Sequence, residues 1–162
     1  MAAFPSTPYS AKLRAPFGVV GIRTRDEAIA AIDYLPHAAR ELAPRDHLAA
    51  AACAQITRYL ADPDFVFNLP LQPSGTDFQR RVWACIAAIP RGGTRAYGEL
   101  ARELGSSARP VGQACGANPF PLVIPCHRVV SAVGIGGFAH HAAGFHVAVK
   151  RWLLAHERGD RR

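Results

Sequence analysis

The sharpest chemistry in the sequence lies at Cys126-His127-Arg128, a polar triplet inside the apolar run formed by Val123-Ile124-Pro125 and Val129-Val130. A thiolate is the most nucleophilic side chain available, and a nearby imidazole and guanidinium favour the ionised form. Polar groups placed where the pattern asks for core often mark functional sites. If 123–130 is a continuous strand, neighbouring side chains point to opposite faces. His127 then reaches the Cys126 sulfur only across a water or a local turn. An imidazole acting as base also needs a third group to hold it, an acid brought from far along the chain. On these residues alone three readings stand: a transfer nucleophile, a cysteine hydrolase, and a structural thiol beside a structural histidine. No strand-to-helix nucleophile elbow or oxyanion motif supports the hydrolase.

The other reactive side chains carry less. His140, His141 and His146 surround a Gly/Ala-rich stretch, yet no carboxylate or thiol lies nearby in sequence, so no metal is expected. Cys53, Cys85 and Cys115 fall on helical patterns and read as small buried fillers. None of the four cysteines forms a C-x-x-C pair, which argues against a zinc knuckle or a redox motif. Trp83 and Trp152 read as core anchors.

The elements that must position the triplet are partly legible. Residues 17–23 read as a strand. Asp46 caps a helix whose apolar positions Leu48, Ala52, Ile56 and Tyr59 keep helical spacing up to Asp62-Pro63. Residues 63–75, with three prolines and a glycine, read as a connector, which places the domain boundary between 1–72 and 73–162. Thr76-Asp77-Phe78-Gln79 has the capping-box pattern and starts a helix with the stripe Phe78, Val82, Ile86, Ile89. Two short helical patterns follow, about 97–104 and 110–117, split by Gly105-Ser106-Ser107; Pro110 suits a first turn. Such a pair suggests a helix-turn-helix. A closing helix over 145–156 has the expected inner face Phe145, Val149, Trp152 and Leu153.

Composition narrows the function classes. With 162 residues, 49% hydrophobic and 19% charged, the chain is globular rather than disordered or fibrous. No apolar run exceeds about eight residues, against roughly 20 for a membrane span, so no membrane partner is expected. Residues 1–15 lack an early positive charge and an apolar segment, which predicts no secretory signal, and unpaired thiols suit a reducing compartment, so cytoplasm is expected. The net charge is +7. Residues 1–74 carry seven basic and seven acidic side chains, whereas 75–162 carry twelve against five. The excess sits wholly in the second half, pointing to a polyanion such as nucleic acid.

The run Asn118-Pro119-Phe120-Pro121-Leu122-Val123-Ile124-Pro125-Cys126-His127-Arg128-Val129-Val130 resembles the signature of the O6-alkylguanine-DNA alkyltransferases, the methylated-DNA–protein-cysteine methyltransferases. Further matches keep that family's order: Gly75-Thr76-x-Phe78-Gln79-x-x-Val82-Trp83, Ile89-Pro90-x-Gly92-x-Thr94, Tyr97-x-x-Leu100-Ala101, Val111-Gly112-x-Ala114, and Lys150-x-Trp152-Leu153-Leu154-x-x-Glu157. The resemblance covers 75–157 densely and the first 74 residues loosely. It implies an α/β (α+β) fold, with a small N-terminal RNase H-like α/β domain and a mainly helical, winged-helix-like C-terminal domain carrying the helix-turn-helix. It implies direct-reversal repair: the protein flips O6-alkylguanine out of double-stranded DNA, approached from the minor groove, and takes the alkyl group irreversibly, once, as a monomer without cofactor.

The residue roles follow from the same resemblance. Cys126 is similar to the alkyl acceptor, His127 to the base that deprotonates it through a water, and Glu157 to the acid that orients the histidine. Asn118 resembles the asparagine that holds the turn to the cysteine, and Tyr97 the tyrosine that presses on the DNA backbone and protonates the leaving guanine. Arg109 resembles the finger that fills the hole left by the extruded nucleotide, with Ala114 and Arg128 as further DNA contacts. Phe138, Ala139, Pro121 and Val129 are expected to line the guanine pocket.

The sequence also departs from the family pattern. Between Ala101 and Arg109 it is about two residues shorter than usual, and Pro110 replaces a small helical residue. Ala96 stands where a serine would cap the next helix. The loop that usually reads Gly-Tyr-x-Gly-Gly is here Gly137-Phe138-Ala139-His140-His141, followed by a five-residue extension. Two relatives of other function remain as alternatives. A lesion-binding protein that flags damage without transfer lacks the acceptor cysteine, which is present here. An adaptive-response regulator needs an N-terminal zinc-cysteine module, whereas the first 74 residues hold only Cys53.

Overall fold

Strands β1 (Ala11–Ala15), β2 (Gly18–Arg25) and β3 (Ala28–Leu35) form an antiparallel meander in the order β1-β2-β3. The computed structural model describes residues 7–136 and 144–159. Only β2 had been expected from the pattern. Its partner β3 reads Ala-Ile-Ala-Ala-Ile-Asp-Tyr-Leu, and alanine has little strand preference. The β2–β3 turn is made by Asp26 and Glu27 at φ 51° and 60°, the paired left-handed geometry of a hairpin turn without its usual glycine. Helix α1 (His47–Ala61) is capped by Asp46, whose carboxylate accepts the Ala49 N–H at 2.7 Å. It buries Ala49, Ala52, Ile56 and Tyr59 toward the sheet. The proline-rich connector continues along β3, where the Ile29 N–H donates to Pro70 O and the Gln72 N–H to Ile29 O. These elements make up one compact unit, Met1–Pro73.

The second unit, Ser74–Arg162, is mainly helical. Helix α2 (Asp77–Ala87) begins with the reciprocal box: the Gln79 N–H donates to Thr76 Oγ1 at 3.1 Å and the Thr76 N–H to Gln79 Oε1 at 2.9 Å. Gly75, at φ 84°, lies under the Trp83 ring, and a Cβ there would sit 2.5 Å from the ring edge. Strand β4 (Arg95–Ala96) leads into α3 (Tyr97–Leu104), and Gly105 at φ 65° ends that helix. Helix α4 (Ala108–Gly116) starts two residues earlier than its pattern suggested, with Pro110 third in the helix, where a missing N–H still leaves no intrahelical bond unmade.

Helices α2, α3 and α4 pack together, and the Trp83 indole N–H donates to Ala114 O at 2.8 Å, fastening α2 to α4. Strand β5 (Val129–Val130) pairs in parallel with β4, Arg95 opposite Val129 and Ala96 opposite Val130. Helix α5 (Phe145–Arg158) closes the unit. Its inner face is rotated from the expected one. Phe145 and Trp152 are only half-buried, while Val147, Val149, Lys150, Leu153, Leu154, His156 and Glu157 are buried. The rotation turns two charged side chains inward because both find partners there. Among the described residues, no helix is long and apolar enough to cross a membrane.

Candidate active site

The segment 123–128 is not a strand. Leu122 takes φ 76°, and Cys126–Arg128 form one turn of 3-10 helix before β5 begins. The cause is Asn118. Its amide Nδ2 donates to Ile124 O at 2.9 Å, and its Oδ1 accepts the Phe120 N–H at 2.9 Å. The Cys126 N–H donates to the same Ile124 O at 2.8 Å. One carbonyl thus receives both the asparagine and the cysteine backbone, and the chain is bent instead of extended. The turn also removes the opposite-face geometry that a strand would impose on Cys126 and His127.

His127 and Glu157 are each 1% exposed, and His127 Nε2 lies 2.8 Å from Glu157 Oε2. Arg128 grips the same carboxylate in a fork, with Nε 2.9 Å from Oε1 and Nη2 2.9 Å from Oε2, and its Nη1 donates to Ile89 O. Arg91 donates to the Glu157 backbone carbonyl at 2.8 Å. The carboxylate therefore has one charged partner, the Arg128 fork, and one imidazole. A carboxylate facing Nε2 favours the proton on that nitrogen, leaving Nδ1 as the basic atom. His127 Nδ1 is buried and has no hydrogen-bond partner among the described residues. Burial holds the imidazole pKa below its usual value despite the pull of Glu157, so the ring is neutral at physiological pH.

Cys126 is buried, and burial pushes its thiol up to about 11, against the hydrogen bond from the Asn118 side chain and the charge of Lys150. Lys150, 0% exposed, donates to Val129 O at 2.7 Å and lies 5.9 Å from the centre of the Tyr97 ring. Burial lowers it to about 8, while the neighbouring Cys126 and Cys115 sulfurs favour its charge. Tyr97 is held at about 12 by burial and by the same two sulfurs, so it keeps its proton. Sequence reasoning passed over Lys150 as a functional group. Its one mark in the sequence is rarity, as one of two lysines among 19 basic residues; the stripe expected for its helix does not include it.

Cys126, His127, Glu157, Asn118, Tyr97 and Val129 thus belong to one connected neighbourhood, and Pro121 is buried at its entry turn. Val129 keeps its side chain in the core. Two expected DNA contacts are placed otherwise. Arg128 spends its guanidinium on Glu157 and Ile89 O with 13% of the side chain exposed, because a buried carboxylate needs that partner more than solvent does. Ala114 is 3% exposed on the inner face of α4, packed where Trp83 reaches its carbonyl. Arg109 is exposed near the start of α4, with no hydrogen bond or ion pair to the described residues. Phe138 and Ala139, with His140 and His141, lie outside the described residues. His146 packs edge-on against Phe145, and among the described residues no cluster of three metal-binding side chains exists. Cys53 and Cys85 are half-buried rather than fully buried fillers, since both sit at the border of their helices' inner faces; Cys115 alone is buried as expected.

Comparison with known proteins places this arrangement. The family model described as 6-O-methylguanine DNA methyltransferase, DNA binding domain, matches residues 77–159. A methylated-DNA–protein-cysteine methyltransferase of Mycolicibacterium paratuberculosis is 46% identical over 87 residues, 52% of this chain and 53% of that protein. The chain thus matches about half the length of the curated relatives. Among solved structures, the O6-methylguanine methyltransferase of Mycobacterium tuberculosis is 31% identical with a TM-score of 0.76, covering 93% of both chains. The same organism's protein in complex with DNA is 33% identical with a TM-score of 0.74, covering 91% of both. A family model matching more than half of the residues, and a solved relative alike over nearly the whole length, have one meaning: the chain belongs to the 6-O-methylguanine DNA methyltransferase family.

Proposed function

We propose that this protein repairs O6-alkylguanine in double-stranded DNA by moving the alkyl group to Cys126, once per molecule. The observation that carries the reading is the buried His127–Glu157 pair at 2.8 Å, its histidine set in the same 3-10 turn as Cys126, whose thiolate the Asn118 side chain favours. A neutral imidazole, protonated on Nε2 and held by a carboxylate, is equipped to take a proton on Nδ1. The Cys126 proton passes to it through a bridging water, as the family resemblance implies. The thiolate then attacks the alkyl carbon, a carbon–sulfur bond forms, and the carbon–oxygen bond to guanine breaks. Tyr97, which holds its proton up to about 12, protonates the departing base. At rest the thiol is protonated, so its proton must be taken before the sulfur attacks.

The alkylated oxygen is buried in the base stack, so the nucleotide leaves the duplex first, at a cost of a few kcal/mol. Arg109, exposed near the start of α4, would fill the gap from the minor groove, as the family resemblance implies; its exposure supports that role. Phosphate contacts come from the arginine-rich second half, net +7. A thioether has no easy leaving group, so the modified protein is the end product, and the chemistry calls on no cofactor.

The test is direct. The protein is incubated with a duplex containing O6-methylguanine and examined by intact mass spectrometry. One added methyl mapping to Cys126, saturating at one per chain, is expected. Tight binding with Cys126 unmodified would replace transfer by lesion recognition, in which the protein flags damage for another pathway. Continued turnover would point to a hydrolase instead.

A further inference from the structure

The carboxylate that holds His127 stands where a helix is weakest. Glu157 is the last residue but one of α5, and the final turn of a helix frays because its carbonyls have no partners within the helix. Here those carbonyls are answered one by one. Gly159, at φ 78°, turns its N–H back to Ala155 O and His156 O. Glu157 O receives Arg91 Nη1 at 2.8 Å, from 66 residues away along the chain, a cation set against the negative end of the helix dipole.

Arg91 belongs to the tight turn between α2 and β4, closed by the Gly93 N–H donating to Pro90 O at 3.0 Å. Gly92, at φ 82°, lies beside the same carbonyl, since a Cβ there would stand 3.6 Å from Glu157 O. At the head of that turn Ile89 O accepts Arg128 Nη1 at 2.6 Å, and the rest of the Arg128 guanidinium forks the Glu157 carboxylate. One turn therefore sets both ends of Glu157, its main chain through Arg91 and its side chain through Arg128. We propose that Arg91 is a positioning residue for methyl transfer: by pinning the Glu157 main chain it keeps the carboxylate on His127.

The link to chemistry runs through His127, and it rests on the acceptor role proposed for Cys126. Burial disfavours the imidazolium of His127, Glu157 favours it by hydrogen bond and charge, and the facing cations Arg128 and Lys150 oppose it. A carboxylate that swings with a fraying turn leaves a weaker base and an imidazole free to change tautomer. A general base contributes only while it is held within hydrogen-bond reach. Arg91 is itself exposed, so its removal opens no cavity in the core. Its loss is felt in the geometry of the pair rather than in packing.

The experiment compares the natural chain with R91M and R91K in single-turnover transfer from a duplex containing O6-methylguanine. It also follows the His127 Nε2–H by proton NMR, well below the melting temperature. At saturating duplex R91M should transfer about 10-fold more slowly, a part of the roughly 10²–10⁴-fold that a positioned base contributes, with half-saturation unchanged within about twofold. R91K still donates to a carbonyl and should restore most of the rate. The His127 Nε2–H should exchange with water faster in R91M than in the natural chain. Should R91M fail to fold, R91Q is read by the same two measurements. A natural rate, or an unchanged His127 proton, would overturn the proposal. So would a loss confined to half-saturation, which would make Arg91 a phosphate contact. A natural chain that never takes up methyl would remove the repair reading, and the His127 proton would still decide whether Arg91 holds the pair.

Discussion

Glu157→Gln perturbs the most connected group of the site. The carboxylate accepts from Arg128 Nε and Nη2, both at 2.9 Å, and lies 2.8 Å from His127 Nε2, with 1% exposure. The amide keeps one acceptor, turns a donor against one of these donors, and leaves the Arg128 cation largely buried without its counter-charge. Breaking a buried pair by removing one partner costs about 3–5 kcal/mol. At about 2–4 °C per kcal/mol for a chain of this size, the melting temperature should fall by roughly 6–20 °C. Transfer should also slow, by about 10²–10⁴-fold, the range contributed by a positioned general base. Thermal melts and single-turnover methyl transfer measure the two effects separately. The double variant R128M/E157Q removes the orphaned cation, so it should recover most of the stability and none of the rate. Glu157→Gln melting at the natural temperature would show that the pair carries no stability. Recovery of rate together with stability in the double variant would show that Glu157 acts only as scaffold.

Other expectations follow from single features. Ala96 precedes α3 with cap geometry, φ −79° and ψ 149°, but offers no oxygen, and only Glu99 answers by accepting the Ala96 N–H; Ala96→Ser should stabilise by about 0.5–2 kcal/mol in a thermal melt. His127 has a pKa lowered by burial, so the unfolded chain takes up its proton first on acidification. Stability should therefore be fully present above the usual histidine range and fall as pH drops from about 7.5 to 5.5, a slope that His127→Asn should reduce in urea melts. Lys150→Met removes the cation that favours a Cys126 thiolate and should slow alkylation of that sulfur by a small electrophile about tenfold, read as a rate against pH. Added salt should weaken duplex binding steeply on a logarithmic plot, and binding indifferent to salt would make the charge asymmetry mere composition.

What the sequence disclosed was local. Asp46 and Thr76 bond to backbone three residues away, so spacing alone reveals them, and both caps are present. Strand β3 was hidden because its alanines and its Asp26-Glu27 turn carry no residue-type signal; it exists through pairing with β2. The bend at 122–128 was hidden because its cause is a side chain six residues from the carbonyl it reaches, Asn118 on Ile124, while the β-branched run reads as strand. The destinations of Arg128 and Lys150 are tertiary, and no periodicity announces that a charged residue will find its partner inside. The reactive triplet itself was legible, since its polarity broke the pattern around it.

The two-rung ladder between β4 and β5 fixes the start of α3 against the residues that follow the reactive turn. Tyr97 and Cys126 are thereby tied at the base of a closed excursion of chain, and the helices of that excursion hang from a stitched hem. Shortening or lengthening the turn at Gly105-Ser106-Ser107 changes what α4 presents outward without moving the tyrosine from the sulfur. The outer surface of such an excursion is free to drift in length and shape while the residues at its base stay in register.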